Sequence, residues 1–177
     1  MHIFVIGPQG GGKSLLVSEL VDRFVERHTI LDQYQVMLGD TSVQLTEVGG
    51  SEDYFAFVDV QLTLATMVVI VWDVATAPPR ELLCRYVNAM KKDTPIICVA
   101  HRMHQHNHSD IQLAAYRHQF PVANDEWRTW SERHTAVHQM LKDLLPITTT
   151  RIYLEVSTHE AKDKLWHVCA TQVESLM

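Results

Sequence analysis

The sequence predicts a single α/β domain over residues 1–177, in three layers, with a six-stranded, mostly parallel sheet carrying about five helices. Three observations carry that expectation. Runs rich in β-branched residues alternate with stretches of helical period. Two of those runs, Met67–Trp72 and Pro95–Ala100, are apolar almost throughout, as strands covered on both faces are. A glycine-rich turn, Gly7 to Gly12, follows the first run and opens the first helix.

Taken in order, His2–Ile6 is the first strand. A helix follows from about Lys13 to Arg27, with Leu15, Leu16, Leu20, Val21 and Phe24 on one face. Gln33–Leu38 and Ser42–Val48 read as strands joined at Gly39-Asp40, a pair suited to a tight hairpin. The segment from Ser51 to about Ala65 turns helical in its second half. After strand Met67–Trp72, Ala77-Pro78-Pro79 breaks the chain, and Arg80–Lys91 is the next helix. His101 to about Asn124 is irregular. Asp125–Leu145 is amphipathic and helical, with Trp127, Trp130, Val137 and Leu141 on its apolar side. Arg151–Val156 is the last strand. Ser157-Thr158-His159-Glu160 matches a capping box, which opens a helix running nearly to Met177.

Composition narrows the function. Apolar residues make up 46% and charged residues 20%, which is globular rather than disordered. The net charge of −6 argues against a nucleic-acid or anionic-membrane binder, which would usually be basic. Cys84, Cys98 and Cys169 are sparse and unpaired by spacing; they fit a reducing, cytoplasmic compartment and read as buried, inert thiols. No signal peptide, membrane span or lipid-anchor motif is visible, so no direct membrane anchor is expected.

The sharpest motif is Gly7-Pro8-Gln9-Gly10-Gly11-Gly12-Lys13-Ser14, or G-x-x-x-x-G-K-S, between a buried strand and a helix. A polyphosphate needs many donors at close range. Glycines let the backbone wrap so that successive N–H groups face inward, and the helix N-terminus adds partial positive charge. The expected phosphate ligands are Gln9, Gly10, Gly11, Gly12, Lys13, Ser14 and Leu15. Lys13 reaches the terminal phosphates and the Ser14 hydroxyl ligates Mg²⁺.

Beyond this P-loop, the order of elements from Ile3 to about Leu176 resembles the Ras-like small GTPases, whose fold is the P-loop G domain. His28-Thr29-Ile30 stands where Arf-like and Rag-like members carry P-T-I or A-T-I. The resemblance implies that Thr29 bonds the γ-phosphate and Mg²⁺. Thr46-Glu47-Val48-Gly49-Gly50-Ser51 is similar to the family's D-x-x-G-Q. Gly50 then meets the γ-phosphate, and Glu47 stands in the metal's second coordination sphere, one methylene longer than the family's Asp. Ser51 replaces the Gln that orients attacking water, and Gln9 fills a loop position where a small residue is usual. Both departures imply slow or absent hydrolysis, so no residue is assigned a catalytic role. In place of the family's N-K-x-D the chain has His101-Arg102-Met103-His104, and in place of S-A-K it has Ser157-Thr158-His159. The resemblance therefore places His101, Arg102, His104, Ser157, Thr158 and His159 at the base. His104 stands where the family's base-reading Asp would be, so the resemblance supplies no carboxylate to select guanine.

Ala100-His101, the Gly7-Pro8 start and the Gln-less Gly49-Gly50 pair are most similar to the Rab-like branch that serves intraflagellar transport; Rag-like GTPases are a second candidate. The resemblance implies a GTP- or GDP- and Mg²⁺-dependent subunit of a protein assembly, engaging protein partners through its switch regions, in the cytoplasm or the cilium or flagellum. Two further readings stand beside it. One is a nucleotide-free pseudo-GTPase scaffold. The other is a nucleoside or nucleotide kinase, with Asp73 as its metal-side acid and Arg102 and Arg117 as thin candidates for its lid. Tyr54, Phe55 and Phe57 either recognise a partner or pack beneath the switch. Near His101 and His118, alternation sets His104, His106 and His108 on one side of the loop, where they could share a soft metal, but a solvated loop accounts for them more simply.

Overall fold

The computed structural model describes residues 1–21, 30–73, 78, 80–101, 126–145, 149–156 and 158–177. Six strands form one sheet: β1 (His2–Ile6), β2 (Leu31–Leu38), β3 (Thr41–Val48), β4 (Met67–Asp73), β5 (Ile96–His101) and β6 (Arg151–Val156). The order across it is β2-β3-β1-β4-β5-β6. Every pairing is parallel except the β2–β3 hairpin, so the predicted mixed, mostly parallel sheet is present. Gly39, at φ 57°, makes the first corner of that hairpin, as a mirror-image turn requires.

Alternation along the strands builds two cores. Ile3, Val5, Met67, Val69, Val71, Ile97 and Val99 face one side. Phe4, Ile6, Val68, Ile70, Trp72, Ile96, Cys98 and Ala100 face the other. The first face is covered by α1 (Lys13–Val21), through Leu16, Val17 and Leu20, and by α5 (Thr158–Ser175), through Leu165, Cys169 and Val173. The second is covered by α2 (Phe55–Leu62), α3 (Arg80–Ala89) and α4 (Glu126–Leu144). This is the predicted three-layer arrangement, and each fully buried Leu or Val in it contributes about 1.5–3 kcal/mol.

The packing of the first helix differs from the sequence reading. In α1, Leu15 is exposed and Val17 is buried, because the buried stripe starts at Leu16 rather than one residue earlier. Phe24 and the expected end of that helix lie outside the described residues, as do 102–125 with the histidine-rich stretch; the side chains of Trp127 and Trp130 lie outside them too. Among the described residues no cluster of His, Cys, Asp or Glu could hold a metal. No helix among them is long and apolar enough to cross a membrane.

The cysteines also divide. Cys98 and Cys169 are buried, whereas Cys84 is partly exposed on α3, so it is not a buried thiol. Burial pushes the Cys169 thiol up to about 12, and pushes Cys98 up as well, despite the opposing pull of Arg151. The thiolate is the reactive form. Mild alkylation of the native protein should therefore modify Cys84 and spare Cys98 and Cys169 until denaturant is added, as intact mass and peptide mapping would record.

Candidate functional site: the phosphate loop and its surroundings

Five strands run in the same direction, so their carboxyl ends, Ile6, Val48, Asp73, His101 and Val156, share one edge of the sheet. Ligands of open α/β sheets bind outside that edge. The 7–12 turn and Gly49-Gly50 both lie there.

The turn is shaped by how little space it has. Gly7 leaves β1 at φ 150°, and a Cβ there would stand 1.9 Å from the Val71 carbonyl oxygen of β4. Only glycine can take that backbone and that approach. Gly10 and Gly12 also have positive φ, 74° and 85°, and the Gly11 amide donates to the Pro8 carbonyl at 3.2 Å. Helix α1 begins at once, its Leu16 amide donating to Gly12 at 3.0 Å. Lys13 is 1% exposed. Its ammonium donates to the Gly7 carbonyl at 3.0 Å and the Pro8 carbonyl at 2.8 Å. The charge predicted for phosphate is thus folded back over the loop that carries it.

Two segments close around this turn. At the end of β3, Glu47 is 2% exposed, and its Oε1 accepts a 2.6 Å hydrogen bond from Ser14 Oγ. Two hard oxygen donors therefore converge at the head of α1, as Mg²⁺ requires. The longer Glu reaches Ser14 directly. Beyond it, Gly49 N–H donates to Ile30 O at 2.9 Å. Gly50 rests on the loop: a Cβ on it would lie 2.5 Å from Gln9 N and 2.8 Å from Lys13 Nζ. A cavity of about 690 Å³ opens beside it, lined by Pro8, Gln9, Gly50, Ser51, Phe55, Glu81, Leu82 and Arg85.

The remaining predicted residues are not all brought together. His101 closes β5, fully buried and paired in register with Asp73 and Val156. Thr29, Arg102, His104 and Ser157 lie outside the described residues; Thr158 and His159 open α5, and only their backbone is described. Tyr54 and Phe55 are half-buried against the second core, while Phe57 is 44% exposed.

Two site residues carry no motif. Tyr86, buried on α3, has its phenol near the Gly7 backbone. Burial raises its phenol pKa, with the Gly7 backbone and the Arg85 charge pulling the other way. Arg85, its neighbour, bridges to Asp59 of α2. Only the helical phase of Tyr86 with Leu82 and Leu83 hinted that it faces inward.

No family model matches this sequence, and no curated protein matches it significantly. Solved structures do. The bacterial selenocysteine-specific elongation factor EF-Sec superposes with a TM-score of 0.68 at 14% identity, over 99% of this chain and 29% of its own. Translation elongation factor SelB from Methanococcus maripaludis, solved with the GTP analogue GppNHp, gives 0.67 at 16% identity, over 98% of this chain and 34% of its own. The chain spans about a third of the length of each. The fold is that of a P-loop NTPase, of the GTPase G-domain type.

The two loop glycines should respond differently to a methyl group. Gly7→Ala collides with the Val71 carbonyl and should cost about 3 kcal/mol or more. Gly10→Ala meets nothing within 4 Å and should cost only its backbone strain, about 1 kcal/mol. Urea denaturation of the two variants checks this; equal losses would show that Val71 does not set the turn.

Proposed function

We propose that this protein binds a guanine nucleotide, GTP or GDP, with Mg²⁺ at the 7–14 loop, and hydrolyses the triphosphate slowly or not at all. The observation that carries the proposal is the convergence on one sheet edge of the glycine turn, the Lys13 ammonium, the Ser14–Glu47 pair and Gly50. The loop amides and Lys13 would hold the phosphates, and Ser14 would hold the metal, with Glu47 behind it. Thr29 and Gly50 would meet the γ-phosphate, and the residues at 101–104 and 157–159 would border the base. Likeness to a factor solved with a GTP analogue supports guanine as the base. The acid bonded to Ser14 is Glu47 of β3, which favours this arrangement over a kinase with Asp73 at the metal.

Output would come through protein partners. Phe57, Val60 and Leu64, spaced along and just past α2, are 44%, 63% and 55% exposed. That apolar stripe directly follows the segment that covers the loop, so a nucleotide that moves Gly50 would change what the stripe presents. A subunit role in an assembly such as intraflagellar transport rests on the sequence resemblance.

A nucleotide-free scaffold is the second reading, favoured by Lys13 already bonding its own loop carbonyls. One pair of measurements separates them. Extraction of purified protein should release GTP or GDP, identified by mass. Lys13→Ala should weaken GTP binding by about a hundredfold in calorimetry, the scale of lost charged hydrogen bonds. If thermal stability and partner binding ignore both the substitution and added GTP, the scaffold reading holds.

A further inference from the structure

Nucleotide entry at this loop has an obstacle. The Lys13 ammonium already bonds the Gly7 and Pro8 carbonyls, and Gly50 lies against both that ammonium and the 8–9 backbone. A phosphate reaching Lys13 has to displace this arrangement. What keeps Gly50 down is therefore a control on the site.

The chain from Gly50 to α2 is short and tied. Tyr54 N–H donates to Ser51 O at 3.1 Å, and α2 begins at the next residue, Phe55. The Arg85 guanidinium lies 4.7 Å over the Phe55 ring. Its Nε donates to Asp59 Oδ1 at 3.1 Å, and its Nη2 pairs with Asp59 Oδ2. One side chain of α3 thus grips α2 by a fork and a stacked face, the arrangement to which guanidinium is suited. Helix α3 is itself anchored, by Leu82, Leu83 and Tyr86 in the core. The cavity shared by Gln9, Gly50, Phe55 and Arg85 leaves empty space beside the segment.

We infer that Arg85 and Asp59 form a latch that holds residues 49–55 against the phosphate loop in the nucleotide-free protein, so that the pair regulates nucleotide entry. The inference rests on the nucleotide-binding reading above. Arg85 is a positioning residue here: it acts on the loop through α2. The two side chains are 40% and 36% exposed, so the latch is weak enough to open and contributes little to global stability.

The test uses Asp59→Asn, Arg85→Gln and the double variant. Association of a fluorescent GTP analogue with Mg²⁺ is followed by stopped flow, and amide hydrogen exchange is measured on the nucleotide-free proteins. Each single variant should raise the association rate constant about fivefold, and should quicken exchange across 50–55. The double variant should be no faster than Arg85→Gln alone, because without the guanidinium Asp59 has no contact left to lose. Melting temperature should fall by no more than about 3 °C. Unchanged or slower association with unchanged exchange overturns the latch, as does a double variant whose gain is the product of the two singles. If wild-type protein binds no analogue, the nucleotide reading fails, and the exchange comparison still decides the latch.

Discussion

The approach of Gly7 to the Val71 carbonyl is the constraint from which the site is built. Strands β1 and β4 are hydrogen-bonded neighbours, and the chain leaving β1 has to turn within the width of β4's backbone. A residue with a side chain would push the loop away from the sheet edge. Because glycine is there, the turn stays tight, α1 starts directly after it, and Lys13 is drawn over its own loop.

The segments that the proposed ligand would move lie around that fixed turn. Glu47 and Gly50 arrive together at the end of β3, three residues apart, so a metal at Ser14 and a phosphate at Gly50 would pull on one short segment. That segment runs into α2, whose inner residues Val58 and Leu62 are core and whose outer residues Phe57 and Val60 are exposed. On the proposed reading, a small shift at the loop would reach that apolar surface through α2, which is the physical content of a switch.

Much of this was legible in the residues. Met67–Trp72 and Pro95–Ala100 read as buried strands because both faces are apolar, and both are strands with every residue buried. Gly39-Asp40 marked the hairpin, and the G-K-S signature marked the loop, because each demands a backbone that few sequences permit. The helix phase of α1 was read one residue off, since Leu15 and Val17 are equally apolar and only the packing of α5 against α1 decides which points inward. Cys84 looked like its two companions until α3 turned it toward the edge of the core.

The sequence by itself determined the local chemistry: where the chain turns, which runs are covered on both faces, and which residues are suited to phosphate and metal. Those properties follow from backbone permissiveness and periodicity, which act over a few residues. Only the tertiary structure decided that the Val71 carbonyl limits the turn, that Glu47 reaches Ser14, that Gly50 lies on Lys13, and that Arg85 and Asp59 join two helices. Each is a contact between residues at least 26 positions apart, and the order of strands in the sheet, not any local pattern, brings such partners together.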